Sequence, residues 1–163
     1  LQHDEAELRW TNAGAFSDAG RYREFLTTML VVHRRYGASA AARDAKATAI
    51  EAERIRALCA DLASPIGDAA PSDPVAMGSD FAWGVLYVLN GSAMGASILL
   101  NQKVMAPSLP TSYLETMRGY AQSGSLGAFF RALNEARLDM SRAAKGADAV
   151  FSAISEMQTH PRG

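Results

Sequence analysis

The chain has 163 residues, a formal net charge of −1 and 48% hydrophobic side chains, a length that suits one domain, residues 1–163, with a full core and no need of covalent staples. Its lysines and arginines are scattered rather than clustered, so neither a nucleic-acid footprint nor an acidic tail is present and no nucleic acid is expected as a partner. The single cysteine, Cys59, excludes an internal disulfide and any cysteine-based zinc or iron–sulfur site. It reads as a small buried apolar residue in a reducing, cytoplasmic compartment, and no signal peptide is visible.

Alanine is abundant, Val-Ile-Thr runs are short, and apolar residues recur at helical rather than alternating spacing, which predicts an all-α protein. Residues 1–10 form the first helix, with His3 and Glu7 four apart and therefore on one face; the run Asn12-Ala-Gly-Ala-Phe-Ser ends it. A second helix starts near Ser17 or Asp18, either of which suits an N-cap, and carries Tyr22, Phe25, Leu26, Met29, Leu30 and His33 along one face. It extends to Tyr36, where Gly37 is expected to stop it. A third helix spans residues 46–63, with Ile50, Ile55, Leu58 and Leu62 as the expected inward row. Residues 64–74, SPIGDAAPSDP, are the clearest loop, because Pro and Gly both end helices and set turns. After a central helix, a break at residues 106–112 precedes a short helix at 113–120 and a turn at Ser123-Gly124. Helices at 126–139 and 141–157 complete the bundle, with Phe129, Phe130, Leu133, Phe151 and Ile154 as their apolar residues and a frayed tail beyond.

The central run, residues 81–100, reads FAWGVLYVLNGSAMGASILL. It is long and apolar enough to suggest a membrane span. Three glycines, Asn90 and Ser92 within it argue otherwise, since each Gly costs about 1 kcal/mol in a helix relative to Ala, and no membrane partner is expected. Gly91 and Gly95, four apart with Ala96 beside them, leave a strip without side chains along one face. Such a strip lets a second helix pack closely or lets a flat group lie against the backbone.

Side chains able to do chemistry are few: three histidines and one cysteine. No paired Glu-x-x-His motifs occur, so a di-iron bundle is excluded. Ser92 lies in a helical run rather than on a strand-to-helix elbow, so an activated serine is excluded as well. One histidine presented to a flat iron cofactor remains, because heme can be held by a single proximal imidazole. His3 is the candidate metal ligand, with Glu7 one turn on to orient its other ring nitrogen; a solvated surface histidine is the alternative. His33 reads as a core or rim histidine, and His160 lies in the tail.

Three patterns carry a resemblance. His3-x-x-x-Glu7, followed by Tyr22-x-x-Phe25-Leu26-x-x-Met29-Leu30-x-x-His33, resembles the first two helices of the heme oxygenases. Residues 82–95, AWGVLYVLNGSAMG, resemble the distal helix of the bacterial members, especially those associated with bacteriophytochromes, which read approximately LYVLEGSTLGG. Arg56-Ala-Leu58-Cys-Ala-Asp61-Leu62 is similar to their Arg-and-Asp-Leu segment. The resemblance implies a single-domain heme oxygenase-like helical bundle. Heme, both cofactor and substrate, would lie between a proximal helix bearing His3, the axial ligand of its iron, and a distal helix kinked at Gly91 and Gly95. Gly91, Ser92 and Gly95 would shape the catalytic pocket, where a water network guides iron-bound dioxygen onto one meso carbon. Met94 and Ala96 would line the heme site, Arg131 would hold a propionate, with Arg137, Arg9 and Arg21 as further candidates, and Phe151 would pack along the heme edge. The products would be biliverdin, carbon monoxide and iron. A neutral imidazole pushes less electron density onto iron than a thiolate does, which suits attack on the ring. Electrons would come from an external ferredoxin or reductase, since the chain shows no flavin or nicotinamide motif, and a bacteriophytochrome is a possible product acceptor.

Four positions depart from the family pattern. Ala96 replaces the second glycine of a Gly-Gly pair, Ser97 stands where bacterial members often carry Arg or Gln, Asn90 replaces a Glu, and Ser92 stands where animal members have Asp. Two other readings stay open: a non-catalytic heme or bilin carrier or sensor of the same fold, and a helical interaction module in which Gly91 and Gly95 let two helices touch. A monomer is expected.

Overall fold

Asp18 opens the first helix described here: its backbone is extended and its carboxylate accepts the Arg21 N–H at 2.8 Å, satisfying one of the donors that a helix start leaves free. The computed structural model describes residues 16–64, 75–101 and 105–159, and its elements in chain order are α1 (Ala19–Val32), a π-helical turn (His33–Gly37), α2 (Ala38–Ala41), α3 (Ala45–Asp61), α4 (Ser79–Asn101), α5 (Ser112–Gln122), α6 (Ser125–Glu135) and α7 (Met140–Thr159). The protein is all-α, with no strand among the described residues. The predicted helix at residues 1–10, most of the loop at 64–74 and the end of the tail lie outside the described residues.

The other helices assemble around α4. Its most extensive contact is with α7, followed by α5, while α2, α6 and the π turn touch it over shorter stretches. The crossing of α4 and α7 is made close by two glycines. A Cβ on Gly84 would overlap the backbone carbonyl of Ala143, and one on Gly146 would overlap that of Phe81, so each helix backbone lies directly on the other. Around this crossing a single hydrophobic cluster gathers Leu26 and Val32 from α1, Leu58 from α3, Val85 and Leu89 from α4, Leu114 and Met117 from α5, and Val150 and Ile154 from α7. Helix α4 is long and apolar enough to cross a membrane by composition; here its buried row, Ala82, Val85, Val88, Leu89, Ala93 and Ala96, is core.

Two boundaries and one helix face differ from the sequence expectation. Gly37 does not stop the second helix. The chain widens there into a π turn, in which the Ala38 N–H reaches back to the His33 carbonyl, and continues into α2. The inward face of α3 holds Glu51, Arg54, Leu58 and Cys59, while Ile50 and Ile55 are only half-buried. The helix expected over 126–139 ends at Glu135: Ala136 is extended, and Asp139 instead accepts the N–H groups of Ser141 and Arg142 at the start of α7. Gly124, in the left-handed region at φ 82°, makes the turn between α5 and α6.

Candidate functional site

Helix α4 has a second face. Tyr87, Met94 and Ile98 are 46%, 51% and 52% exposed, and with Gly91 they fall at the i, i+4, i+7, i+11 spacing of one helical row. Exposed large apolar side chains in a row mark a surface that serves something. Gly91 lies in the middle of this row and is itself buried, yet a Cβ built on it would meet no described atom within 4 Å. Among the described residues nothing lies over the backbone there, whereas at Gly84 and Gly146 another helix packs directly against it.

The hydroxyls beside this strip bond back to their own helix. Ser92 Oγ donates to the Leu89 carbonyl at 2.8 Å and Ser97 Oγ to that of Ala93 at 3.2 Å. Gly95 is half-buried, and α4 passes through Gly91 and Gly95 as one continuous helix. Ala96 is 4% exposed and belongs to the hydrophobic core, so its methyl lies off the Met94 and Ile98 row.

Helix α6 flanks the row. The Phe130 ring meets Tyr87 edge-on with centroids 6.2 Å apart, and the next residue, Arg131, is exposed. Arg137 and Arg21 are exposed too, and Phe151 is half-buried on α7 against the core cluster. His3, Glu7 and Arg9 lie outside the described residues.

A second group of polar residues, not foreseen as a group, sits in the interior. His33, Glu51 and Arg54 are 0%, 2% and 1% exposed. His33 Nδ1 lies 2.5 Å from Glu51 Oε1, and its Nε2 lies 2.8 Å from the Tyr113 hydroxyl. Arg54 Nη1 donates to Glu51 Oε2 at 3.4 Å, and its guanidinium lies over the Tyr120 ring, 4.6 Å from the centroid. Burial alone would raise the Glu51 pKa, but the neighbouring His33 and Arg54 outweigh it and hold the carboxyl below its ordinary value. An ionised Glu51 only accepts hydrogen bonds, so His33 Nδ1 donates to it, while the Tyr113 hydroxyl, whose pKa burial pushes well up, is bonded to Nε2. The chain of bonds ties the π turn, α3 and α5 together. His33, 0% exposed, is the residue through which the π turn is bonded to both α3 and α5. Its partners were legible only as spacing: residues 51, 54, 58 and 62 fall on one helical face, but two of the four are charged.

No family model, curated protein or solved structure matches the chain.

Proposed function

We propose that the protein is a heme oxygenase, opening the heme macrocycle to biliverdin, carbon monoxide and iron with dioxygen and electrons from an external ferredoxin or reductase. The observation that carries the reading is Gly91. Within the stretch that resembles the distal helix, this residue is buried, yet no described residue lies over its backbone, and a flat ligand lying on a helix requires such a bare backbone. The apolar row of Tyr87, Met94 and Ile98 continues that surface, suiting a macrocycle that is mostly hydrocarbon, and the exposed Arg131 beside Phe130 suits a propionate.

Bound heme would supply both the iron that activates dioxygen and the ring that is cleaved. The chain's part is positioning. His3 would hold the iron from one side, with Glu7 bonded to its other ring nitrogen. Gly91 and Gly95 would admit the ring close to the backbone of α4. Met94 and Phe151 would exclude water from the ring's apolar edges. Ser92, whose proton is given to Leu89, keeps oxygen lone pairs with which to accept from water beside the ring.

The test is reconstitution with ferric heme, followed by ascorbate or a ferredoxin–reductase system, with absorbance read from the Soret region to the far red. The expected result is a Soret band that His3→Ala abolishes and that decays in the wild type as a biliverdin band grows. A Soret band that persists under reduction would replace catalysis with a carrier or sensor role, and no Soret band at all would overturn heme binding.

A further inference from the structure

Asn90 interrupts the apolar run of α4 with a carboxamide that the fold does not use. The residue is 5% exposed, yet no described residue donates to its Oδ1 or accepts from its Nδ2. Unlike the Arg54 nitrogens Nε and Nη2, which are closed off, both of these atoms keep accessible surface. A carboxamide held this deep without a partner costs free energy that a hydrogen-bonding occupant would recover, and an apolar side chain of the same size would avoid the cost.

The space that Asn90 borders is a cavity of about 330 Å³ between α3, α4 and α6, within the ~300–1,000 Å³ typical of small-molecule sites. Trp83, Leu86 and Asn90 follow one another at i, i+3 and i+7 and so line it from one face of α4. Phe129 of α6 adds a second ring, its centroid 5.6 Å from that of Trp83 and the two planes 32° apart. Charged groups in the wall are engaged elsewhere. Glu51 serves His33 and Arg54, and the Arg54 guanidinium lies over Tyr120. Arg43 donates to the Met77 carbonyl at 2.8 Å, Asp44 accepts the Lys46 N–H at 3.0 Å, and the Lys46 side chain is exposed.

We propose that this cavity binds a small, neutral, planar heterocycle with a lactam edge, an N–H beside a C=O, paired with the Asn90 carboxamide while the ring lies against Trp83 and Phe129. A carboxamide is the complement of such an edge: Nδ2 donates to the carbonyl and Oδ1 accepts the N–H, in two parallel bonds. A flat ring suits the aromatic pair. A carboxylate would set its charge against Asn90 Oδ1, and a purely apolar ring would leave both polar atoms unpaired. The site is separate from the Gly91 row, because Trp83, Leu86 and Asn90 fall on a different face of α4 from Tyr87, Met94 and Ile98.

The experiment uses the heme-free full chain and 5-fluoro-2-pyridone as the probe, titrated by fluorine NMR, with 5-fluoro-1-methyl-2-pyridone as the counterpart that lacks the N–H. Saturable binding of the lactam is expected, at least about tenfold tighter than that of the N-methyl compound. Asn90→Leu keeps the volume of the side chain and removes both polar atoms; it should abolish the preference while raising the denaturation midpoint, since an unpaired buried carboxamide is lost. Ala128→Leu is the second variant. It narrows the cavity from an exposed position on α6, leaves Asn90 in place, and should weaken the lactam by about tenfold or more. No saturable binding up to about 10 mM would overturn the proposal, as would equal binding of the two compounds, a preference that survives Asn90→Leu, a lowered midpoint in that variant, or binding that Ala128→Leu leaves unchanged. None of these results bears on the Soret assay, which reads a different face.

Discussion

Gly37 stands where any side chain would collide with the Glu51 carboxylate: a Cβ built on it would overlap Glu51 Oε1. The π turn brings the bare Gly37 backbone over α3, and Glu51 uses that space to reach His33. Gly37→Ala should therefore act on the buried His33–Glu51–Arg54 group rather than on the helix that contains it. On helix propensity alone the change would stabilise by up to about 1 kcal/mol; displacing a buried, hydrogen-bonded carboxylate costs about 3–5 kcal/mol. The second effect wins. Chemical denaturation should show a net loss of about 2–4 kcal/mol, and a gain in stability would mean that Glu51 can move aside freely.

Helix α5 is capped by another helix. Thr111, at its N-cap position, makes no side-chain cap bond, whereas Asp61 at the end of α3 accepts the N–H groups of Ser112 and Tyr113 at 3.0 and 2.8 Å. A carboxylate on two free donors at a helix start is favoured by both hydrogen bonding and the helix dipole. Asp61→Ala should lower stability by about 1–2 kcal/mol, and Thr111→Ala by no more than a few tenths. Thermal melts of the two variants side by side distinguish this arrangement from ordinary capping by Thr111, which would reverse their order.

The ends of most helices were legible because their causes are local. Asp18 caps α1, Ser123-Gly124 makes a turn, and the apolar spacing of α4 marks it as central. What escaped the sequence depends on distant partners. Gly37 looks like a stop signal until Glu51, fourteen residues on, is seen to need its missing side chain. Glu51 and Arg54 share the inward face with Leu58, but charged residues are seldom fully buried, so Ile50 and Ile55 drew the predicted row onto the neighbouring face. Asp139 looks like the last residue of one helix because nothing local tells a helix end from the N-cap of the next. Of the candidate site, the sequence marked the Gly91 strip and left open what lies on it; the lack of any described residue over Gly91 separates it from the tightly packed Gly84 and Gly146. Ala96, expected at the same surface, faces the core because it sits on the buried side of α4 with Ala93 and Leu89.

Acid and alkali should destabilise the fold through different residues. Glu51 has its pKa lowered in the folded protein, so its contribution is present above its ordinary value of 4.5 and is lost as pH falls through the folded value. Tyr22 and Tyr113 have theirs raised, chiefly by burial, with Asp61 adding to the effect on Tyr22. Their contribution is complete below the ordinary value of 10.0 and declines as pH rises beyond it, because the unfolded chain releases protons that the folded chain keeps. Unfolding free energy measured against pH should thus fall on both sides. Glu51→Gln should flatten the acid limb and Tyr113→Phe the alkaline one, each at the cost of a lower plateau; a Glu51→Gln profile parallel to the wild type below 4.5 would remove Glu51 as the acid-sensitive group.

Gly91, Gly84 and Gly146 offer a direct comparison of glycines kept for different reasons. At Gly84 and Gly146 an added methyl would land on the backbone of the opposing helix, and since neither backbone can yield without separating α4 from α7, Gly→Ala at either should cost about 3 kcal/mol or more. At Gly91 the methyl meets no described atom within 4 Å, and α4 is an ordinary helix there. Gly91→Ala should raise stability by about 0.5–1 kcal/mol through helix propensity and a less flexible unfolded chain. If the strip exists to let heme approach the backbone, that same stabilising change should weaken heme binding or slow biliverdin formation. A Gly91→Ala protein that is more stable and retains full turnover would show that the bare backbone is not what the ligand uses; one that is less stable would show that the space above Gly91 is filled by the protein itself.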